Sequence, residues 1–390
     1  MGTEEDIRSA LQRTPKSVPL FQPRIDLVVR RARTRRLRRY LATTLVAGIV
    51  IIGAGVPMGL LVGSVGDRLE SLPPDVLELY AVNADGSGLT RLTHNASSDD
   101  SPAWSPDGRQ IAFVSAQRGQ EPDIYVMNAD GSGRTRLTHN EYVDGSPAWS
   151  PDGRYIAFVR HLPNEPQPFE NSEIFVMQSD GSGEVRLTRN HLRDESPVWS
   201  PDSSRIAFLR GDGGLRVHVM AADGSDERPI TGDISDDPTW SPDGTRIAFV
   251  SFGEPDPDFE EIHVVSADGT GQRALTDYPG SDHLPAWSPT GSHIAWSRDG
   301  EVWLMRPDGS EQTRITSGRQ GAPIWSPDGA WILVVRFVDA QSVNSELFLI
   351  RPDGSDETRL TNYSGPDEFP AWSPDGTRIV FTRAEGFPEL

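Results

Sequence analysis

The tripeptide Trp-Ser-Pro begins at Trp104, Trp149, Trp199, Trp240, Trp287, Trp325 and Trp372, at intervals of 38 to 50 residues. Few architectures accept that periodicity. A strand-rich unit of about 40–50 residues cannot bury its own apolar face, so such units must stack into a propeller or a solenoid. A second motif alternates with the first, Asp-Gly at Asp85, Asp130, Asp180, Asp223, Asp268, Asp308 and Asp353.

One repeat reads as four short strands. Ser-Pro-Asp-Gly predicts a type I turn, because Pro presets φ at the second position and Gly suits the fourth. Runs such as Ile111–Val114 and Ile247–Val250 follow with strand alternation. After a variable loop come Ile124–Met127 or Ile262–Val265, a hairpin at Asn-Ala-Asp-Gly-Ser-Gly, and a last strand ending in forms such as Arg136-Leu137-Thr138. Four antiparallel strands make one propeller blade. The stretch Leu77–Thr93 supplies only third and fourth strands, and Phe369–Arg383 only first and second. The expected fold is therefore all-β, a seven-bladed β-propeller over 77–384 whose last blade closes two strands on two. Such closure removes the open edges of a linear array.

Composition agrees. With 37 Gly and 32 Pro in 390 residues a helical bundle is excluded, and 36% hydrophobic residues with 10 Trp exclude wholesale disorder. The absence of cysteine excludes disulfides, thiol catalysis and cysteine-based zinc sites. The basic residues are 36 Arg and one Lys, Lys16, the mark of a GC-rich bacterial genome. The net charge is −20, but residues 1–40 carry 11 basic against 4 acidic side chains. The acidic remainder repels nucleic-acid phosphate, so no nucleic acid partner is expected.

Residues 41–66 form a run of 26 residues without a charge, directly after the Arg-rich stretch from Arg30 to Arg39. That length spans a bilayer core of about 30 Å, and the flanking arginines predict a cytoplasmic N-terminus. The expected layout is a cytoplasmic stub at 1–40, one transmembrane helix at 41–66, a linker at 67–76 and an extracytoplasmic propeller in the cell membrane. A linker of that length keeps the propeller near the bilayer.

The pattern Pro-x-Trp-Ser-Pro-Asp-Gly, Ile-Ala-Phe, Asn-Ala-Asp-Gly-Ser-Gly and Arg-Leu-Thr closely resembles the TolB-like β-propeller repeat across 77–384. The resemblance implies the fold. Proteins with this repeat include periplasmic binders of a peptidoglycan-associated lipoprotein and the propellers of prolyl-oligopeptidase-like enzymes, whose serine chemistry sits in an added hydrolase domain. Only about six residues follow the last expected strand, so no such domain is expected. The chain contains no Gly-x-Ser-x-Gly elbow, phosphate loop or His-Glu-x-x-His. His94 and His139 recur in equivalent loops, as repetition alone explains, and His283 stands in a related one.

Five residues before each motif tryptophan stand Asp99, Asp144, Asp194, Ser235, Asp282, Gln320 and Asp367, with Asp236 beside the Ser235 gap. Propeller first strands are innermost, so these residues are expected around a channel mouth. Two readings stay open. The aspartates form an acidic ring for a basic peptide or a divalent cation, or each binds within its own loop or pairs with a neighbouring arginine. The longer loops of that face, Arg160–Ser172, Phe252–Glu261 and Phe337–Glu346, vary where both Asp-Gly turns of the other face are uniform. The expected function is non-catalytic, without a cofactor: a membrane-anchored scaffold that recognises an envelope protein or cell-wall ligand. The alternatives are a metal-dependent lyase or hydrolase of envelope polysaccharide, using these carboxylates and His283, and a transmembrane sensor.

Overall fold

The computed structural model describes residues 76–386 except 118, 163–170, 212–213, 253–259, 279, 319 and 339–343. The expected stub and membrane helix, the linker up to residue 75, and the middles of the three long loops lie outside the described residues. Among the described residues there is no helix, hence none long and apolar enough to cross a membrane.

The chain opens with β1 (Leu77–Asn83) and β2 (Thr90–Arg91). There follow β3 (Ser98–Trp104), β4 (Gln110–Ala116), β5 (Asp123–Asn128) and β6 (Thr135–Arg136). The next meander is β7 (Val143–Trp149), β8 (Tyr155–Leu162), β9 (Asn171–Gln178) and β10 (Val185–Arg186). Then come β11 (Arg193–Trp199), β12 (Arg205–Gly211), β13 (Arg216–Ala221) and β14 (Arg228–Pro229). β15 (Ser235–Trp240), β16 (Arg246–Phe252), β17 (Glu260–Ser266) and β18 (Arg273–Ala274) repeat the pattern, as do β19 (Asp282–Trp287), β20 (Ile294–Arg298), β21 (Glu301–Met305) and β22 (Thr313–Arg314). Last are β23 (Ile324–Trp325), β24 (Ile332–Phe337), β25 (Ser345–Ile350) and β26 (Thr358–Arg359), then β27 (Asp367–Trp372) and β28 (Arg378–Ala384).

Each group of four is an antiparallel meander paired in chain order. The groups β7–β10 and β11–β14 merge into one sheet through a parallel contact of Arg193 with Ser172. The chain ends share a sheet of order β2-β1-β28-β27, with β1 paired to β28 along its whole length, from Leu77 opposite Ala384 to Asn83 opposite Arg378.

The first strands touch one another in succession, β27 to β3 and then β3, β7, β11, β15, β19 and β23. They therefore circle one axis, with the two-residue fourth strands outermost, as in a propeller. Five of the motif tryptophans, Trp104, Trp149, Trp199, Trp240 and Trp325, stitch neighbouring meanders through the indole N–H, whereas the N–H groups of Trp287 and Trp372 are buried without a partner among the described residues. Trp149 Nε1 donates to Ala103 O at 3.2 Å, Trp199 to Ala148 O at 3.0 Å and Trp240 to Val198 O at 3.1 Å. Trp104 does the same to Ala371 O at 3.2 Å, so the first complete meander is tied to the last strands of the chain. The core lies between sheets. Phe113, Phe158, Phe208, Phe249, Trp296 and Phe381, all on second strands, are wholly buried.

Both turns form for the reasons the sequence gives. In the first, Gly108 N donates to Ser105 O at 2.9 Å with φ +69°, and Asp107 Oδ1 accepts from Ser105 Oγ at 2.7 Å. The Arg-Leu-Thr motif binds the short fourth strand to the third: Arg136 Nη2 lies 2.6 Å from Asp123 Oδ2, and Thr138 Oγ1 donates to Asp123 Oδ1 at 3.0 Å.

Candidate functional site

The first and second strands pair in a register set by the constant turn between them. That register places Asp144 opposite Arg160, Asp194 opposite Arg210, Asp282 opposite Arg298 and Asp367 opposite Arg383. All four pairs are bidentate. The two bonds measure 2.7 and 2.9 Å at Asp144, 2.6 and 2.8 Å at Asp194, and 2.6 and 2.7 Å at both Asp282 and Asp367. The four carboxylates are wholly buried. Burial of an unpaired carboxylate would be prohibitive, and the guanidinium fork supplies both charge and geometry.

The remaining positions vary the theme. Asp99, also wholly buried, faces Ser115, and its cation is Arg134 at 3.4 Å, reaching in from beyond the Asp-Gly hairpin. Gln320 faces Arg336, which turns to Glu357 at 2.6 and 2.7 Å. Ser235 faces Ser251, and no charge stands at either position. These arginines also lie over aromatic rings of the third strand: Arg160 lies 4.5 Å from the Phe175 ring, Arg298 4.8 Å from Trp303, Arg134 4.6 Å from Tyr125, and Arg336 4.3 Å from Phe348, whose neighbour on the second strand is Val334.

The structure thus places Asp99, Asp144, Asp194, Asp282 and Asp367 at equivalent points round the axis, each in its own ion pair. Asp236 stands one residue further along its strand, half-buried, with Oδ1 accepting from Asp237 N at 2.9 Å. Among the described residues, no group of three or more His, Asp or Glu side chains is arranged to hold a metal ion.

A second ring, of which the sequence singles out Asp236 and His283, lies one position later. Asp100, Glu195, Asp236, His283 and Glu368 stand four residues before their tryptophans. Asp100, Glu195 and Asp236 face Val114, Leu209 and Val250 on the second strands, whereas His283 faces Ser297 and Glu368 faces Thr382. The Ser297 and Thr382 hydroxyls are buried without a hydrogen-bond partner. Glu195 pairs with Arg193, and His283 Nδ1 lies 3.8 Å from Glu260 Oε2. Among the described residues no guanidinium lies within ion-pair distance of Asp100 or Glu368. Burial pushes Asp100 up to about 6, against a hydrogen bond from Ser101. Burial and then the neighbouring Asp367 charge push Glu368 up to about 7.

A β-bulge re-aims this ring. The register breaks just after it, between Asp100 and Ala103 and at the equivalent points of β7, β11, β15, β19 and β27. The residue three before the tryptophan then takes positive φ: Ser101 (52°), Ser146 (53°), Ser196 (53°), Asp237 (50°), Leu284 (57°) and Phe369 (51°). Leu and Phe seldom accept that conformation, so the fold over-determines it.

Comparison with known proteins agrees with this geometry. A family model described as the TolB beta propeller domain matches residues 71–167 and 214–334. A 42-residue stretch is 48% identical to dipeptidyl-peptidase 5 of Porphyromonas gingivalis; it covers 11% of this chain and 6% of that enzyme's length. Among solved structures, a protein from Agrobacterium tumefaciens assigned as TolB is 21% identical with a TM-score of 0.51, the match covering 81% of this chain and all of that one. An oligogalacturonate lyase from Vibrio parahaemolyticus is 15% identical with a TM-score of 0.63, covering 80% of this chain and 98% of that one. At such identities these structures speak to fold alone. The family model spans more than half of the chain: the chain belongs to the TolB β-propeller domain family.

Proposed function

We propose that the chain is a seven-bladed, membrane-anchored propeller, held by 41–66 with its N-terminus in the cytoplasm. On this reading it is a non-catalytic binding protein of the bacterial cell envelope, and its innermost strands receive a protein or cell-wall ligand bearing positive charge. The observation that carries this reading is the inner ring. Burial penalises charge in both rings, at Asp367 as at Asp100 and Glu368, but each outer aspartate has a guanidinium against it, whereas among the described residues none lies within ion-pair distance of Asp100 or Glu368. A site of that kind gains most when a ligand supplies the missing cation.

The test is crosslinked capture from native membranes. The full chain is compared with a variant carrying Asp100→Asn, Glu195→Gln, Asp236→Asn and Glu368→Gln, after equal melting temperatures have been verified. The expected result is a ligand retained by the parent and lost by the variant. Equal capture by both would remove the inner ring from the binding site.

A further inference from the structure

The meanders of this propeller share one arrangement of an arginine over aromatic rings, and one of them lacks the arginine. The arginine's slot is floored by aromatic rings of the second and third strands, such as Phe158 with Phe175 at 5.6 Å. Arg134, Arg160, Arg210, Arg298, Arg336 and Arg383 each lay a guanidinium over such aromatic rings. A polar residue just beyond the Asp-Gly hairpin often completes the slot. Glu184 binds Arg160 at 2.6 and 2.9 Å, Glu227 binds Arg210, and Gln312 Oε1 accepts from Arg298 at 3.3 Å.

The β15–β18 meander has the floor and the rim without the arginine. Phe249 faces His263 in register, with ring centroids 5.7 Å apart. Ser251 occupies the position of Arg160 and Ser235 that of Asp144. Among the described residues no guanidinium covers Phe249 or His263. Gln272, in the place of Glu184 and Gln312, donates instead to Asp233 Oδ2 at 3.1 Å. Glu261 Oε2 lies 3.6 Å from His263 Nε2, and His263 Nδ1 is buried without a hydrogen-bond partner. Burial holds the His263 imidazole below its usual range, against the pull of Glu261 and Asp233. The ring is also reachable: the His263 side chain is 17% exposed, against 8% for the Arg298 side chain in the filled slot of the next meander.

We propose that this slot binds the guanidinium of an arginine side chain presented by the protein's ligand, completing from outside the arrangement the other meanders complete from within. The planar cation stacks on His263, the partly exposed ring of the pair, as Arg160 lies closest to the third-strand ring of Phe175, and Asp233, Glu261 and the Gln272 carbonyl accept its N–H groups. The ligand is accordingly a peptide or protein segment with an exposed arginine. The inference rests on the binding-protein reading above, and its test is independent of it.

The full chain, labelled with 13C-histidine, is titrated with N-acetyl-argininamide and with its neutral isostere N-acetyl-citrullinamide. The expected result is a saturable shift of the His263 resonances with the arginine probe and binding about tenfold or more weaker with citrulline, the loss of one charge-assisted, stacked contact. The double variant Ser235→Asp with Ser251→Arg fills the slot from within and should abolish the response while keeping the parent's melting temperature or raising it. Ser251→Gln, which fills the slot without a charge, should abolish it too should the double variant fold poorly. An unresponsive parent, equal response to both probes, or full response in a folded filled variant would overturn the proposal. Loss of capture on neutralising the inner ring bears on the function instead, because that variant leaves Ser235, Ser251 and His263 intact.

Discussion

At the scale of single residues, the molecule is organised by where each buried charge finds its partner. Arg383 has Asp367 as its sole hydrogen-bonded carboxylate among the described residues, and its side chain is 7% exposed. Asp367→Ala therefore strands a buried cation and is expected to cost about 3–5 kcal/mol. Asp144→Ala should cost clearly less, because Arg160 keeps Glu184. Urea unfolding midpoints compare the two directly, and equal losses would mean that Glu184 contributes nothing. These pairs were legible in the sequence, since Asp144, Asp194, Asp282 and Asp367 each precede an arginine by sixteen residues. The sequence reading compared equivalent positions between repeats, where a ring of aspartates stands out. The pairing stands out only across the hairpin, where a turn of constant length, though not of constant sequence at Ser203 and Thr290, fixes the register. Asp99 with Ser115, and Gln320 with Arg336, break the pattern and hide it further, because their charges are met by Arg134 and Glu357 from another strand.

At the scale of the element, the first strand sets two kinds of residue side by side: the buried aspartate locks the sheet, and the next residue belongs to the inner ring. Strands and turns followed from alternation and from Pro and Gly placement, but the bulge did not. Its positive-φ position holds Ser, Asp, Leu or Phe, none of which announces that conformation. The inner ring as a whole was missed for that reason. Its chemistry predicts a pH dependence with a definite sign. Unfolded Asp and Glu titrate near about 3.9 and 4.3. Folding raises Asp100 to about 6 and Glu368 to about 7, so the folded chain keeps protons the unfolded chain has released. Their contribution to stability is complete below about pH 4 and is lost as pH rises through 6 and 7. The turn aspartates, such as Asp107 and Asp243, shift downward, and theirs is lost only on the acid side. Asp367, which burial also pushes up to about 6, acts in the same direction as Asp100 and Glu368, so these three groups should lower the melting temperature between pH 5 and pH 8, and Asp100→Asn with Glu368→Gln should lessen that slope. An unchanged slope in the double variant would assign the dependence to other groups.

At the scale of the whole molecule, the chain forms a closed array because its two ends complete one sheet, and no covalent link does so. The β1–β28 ladder pairs seven residues, Tyr80 donates its hydroxyl to Glu385, and Trp104 reaches Ala371 across the seam. Removing residues 366–390 would leave β1 with an open edge, strip Trp104 of its acceptor, and leave Leu79 and Ala81, both wholly buried, without part of their cover. An open edge beside an apolar face invites pairing with another chain, so the truncated protein should melt earlier and associate. The missing strands form a contiguous hairpin whose pairing to β1 is mostly backbone hydrogen bonding, the interaction an added peptide can restore. A synthetic peptide of residues 366–386, mixed with the truncated chain before it associates, should raise its melting temperature and return it to the parent's sedimentation coefficient. A peptide with Trp372→Ala and Phe381→Ala, which keeps the ladder but loses two buried rings of the seam, should restore less. If the unaltered peptide bound without recovering stability, closure would depend on the chain being continuous through Gly365, and the ends would act as a tether instead of as strands.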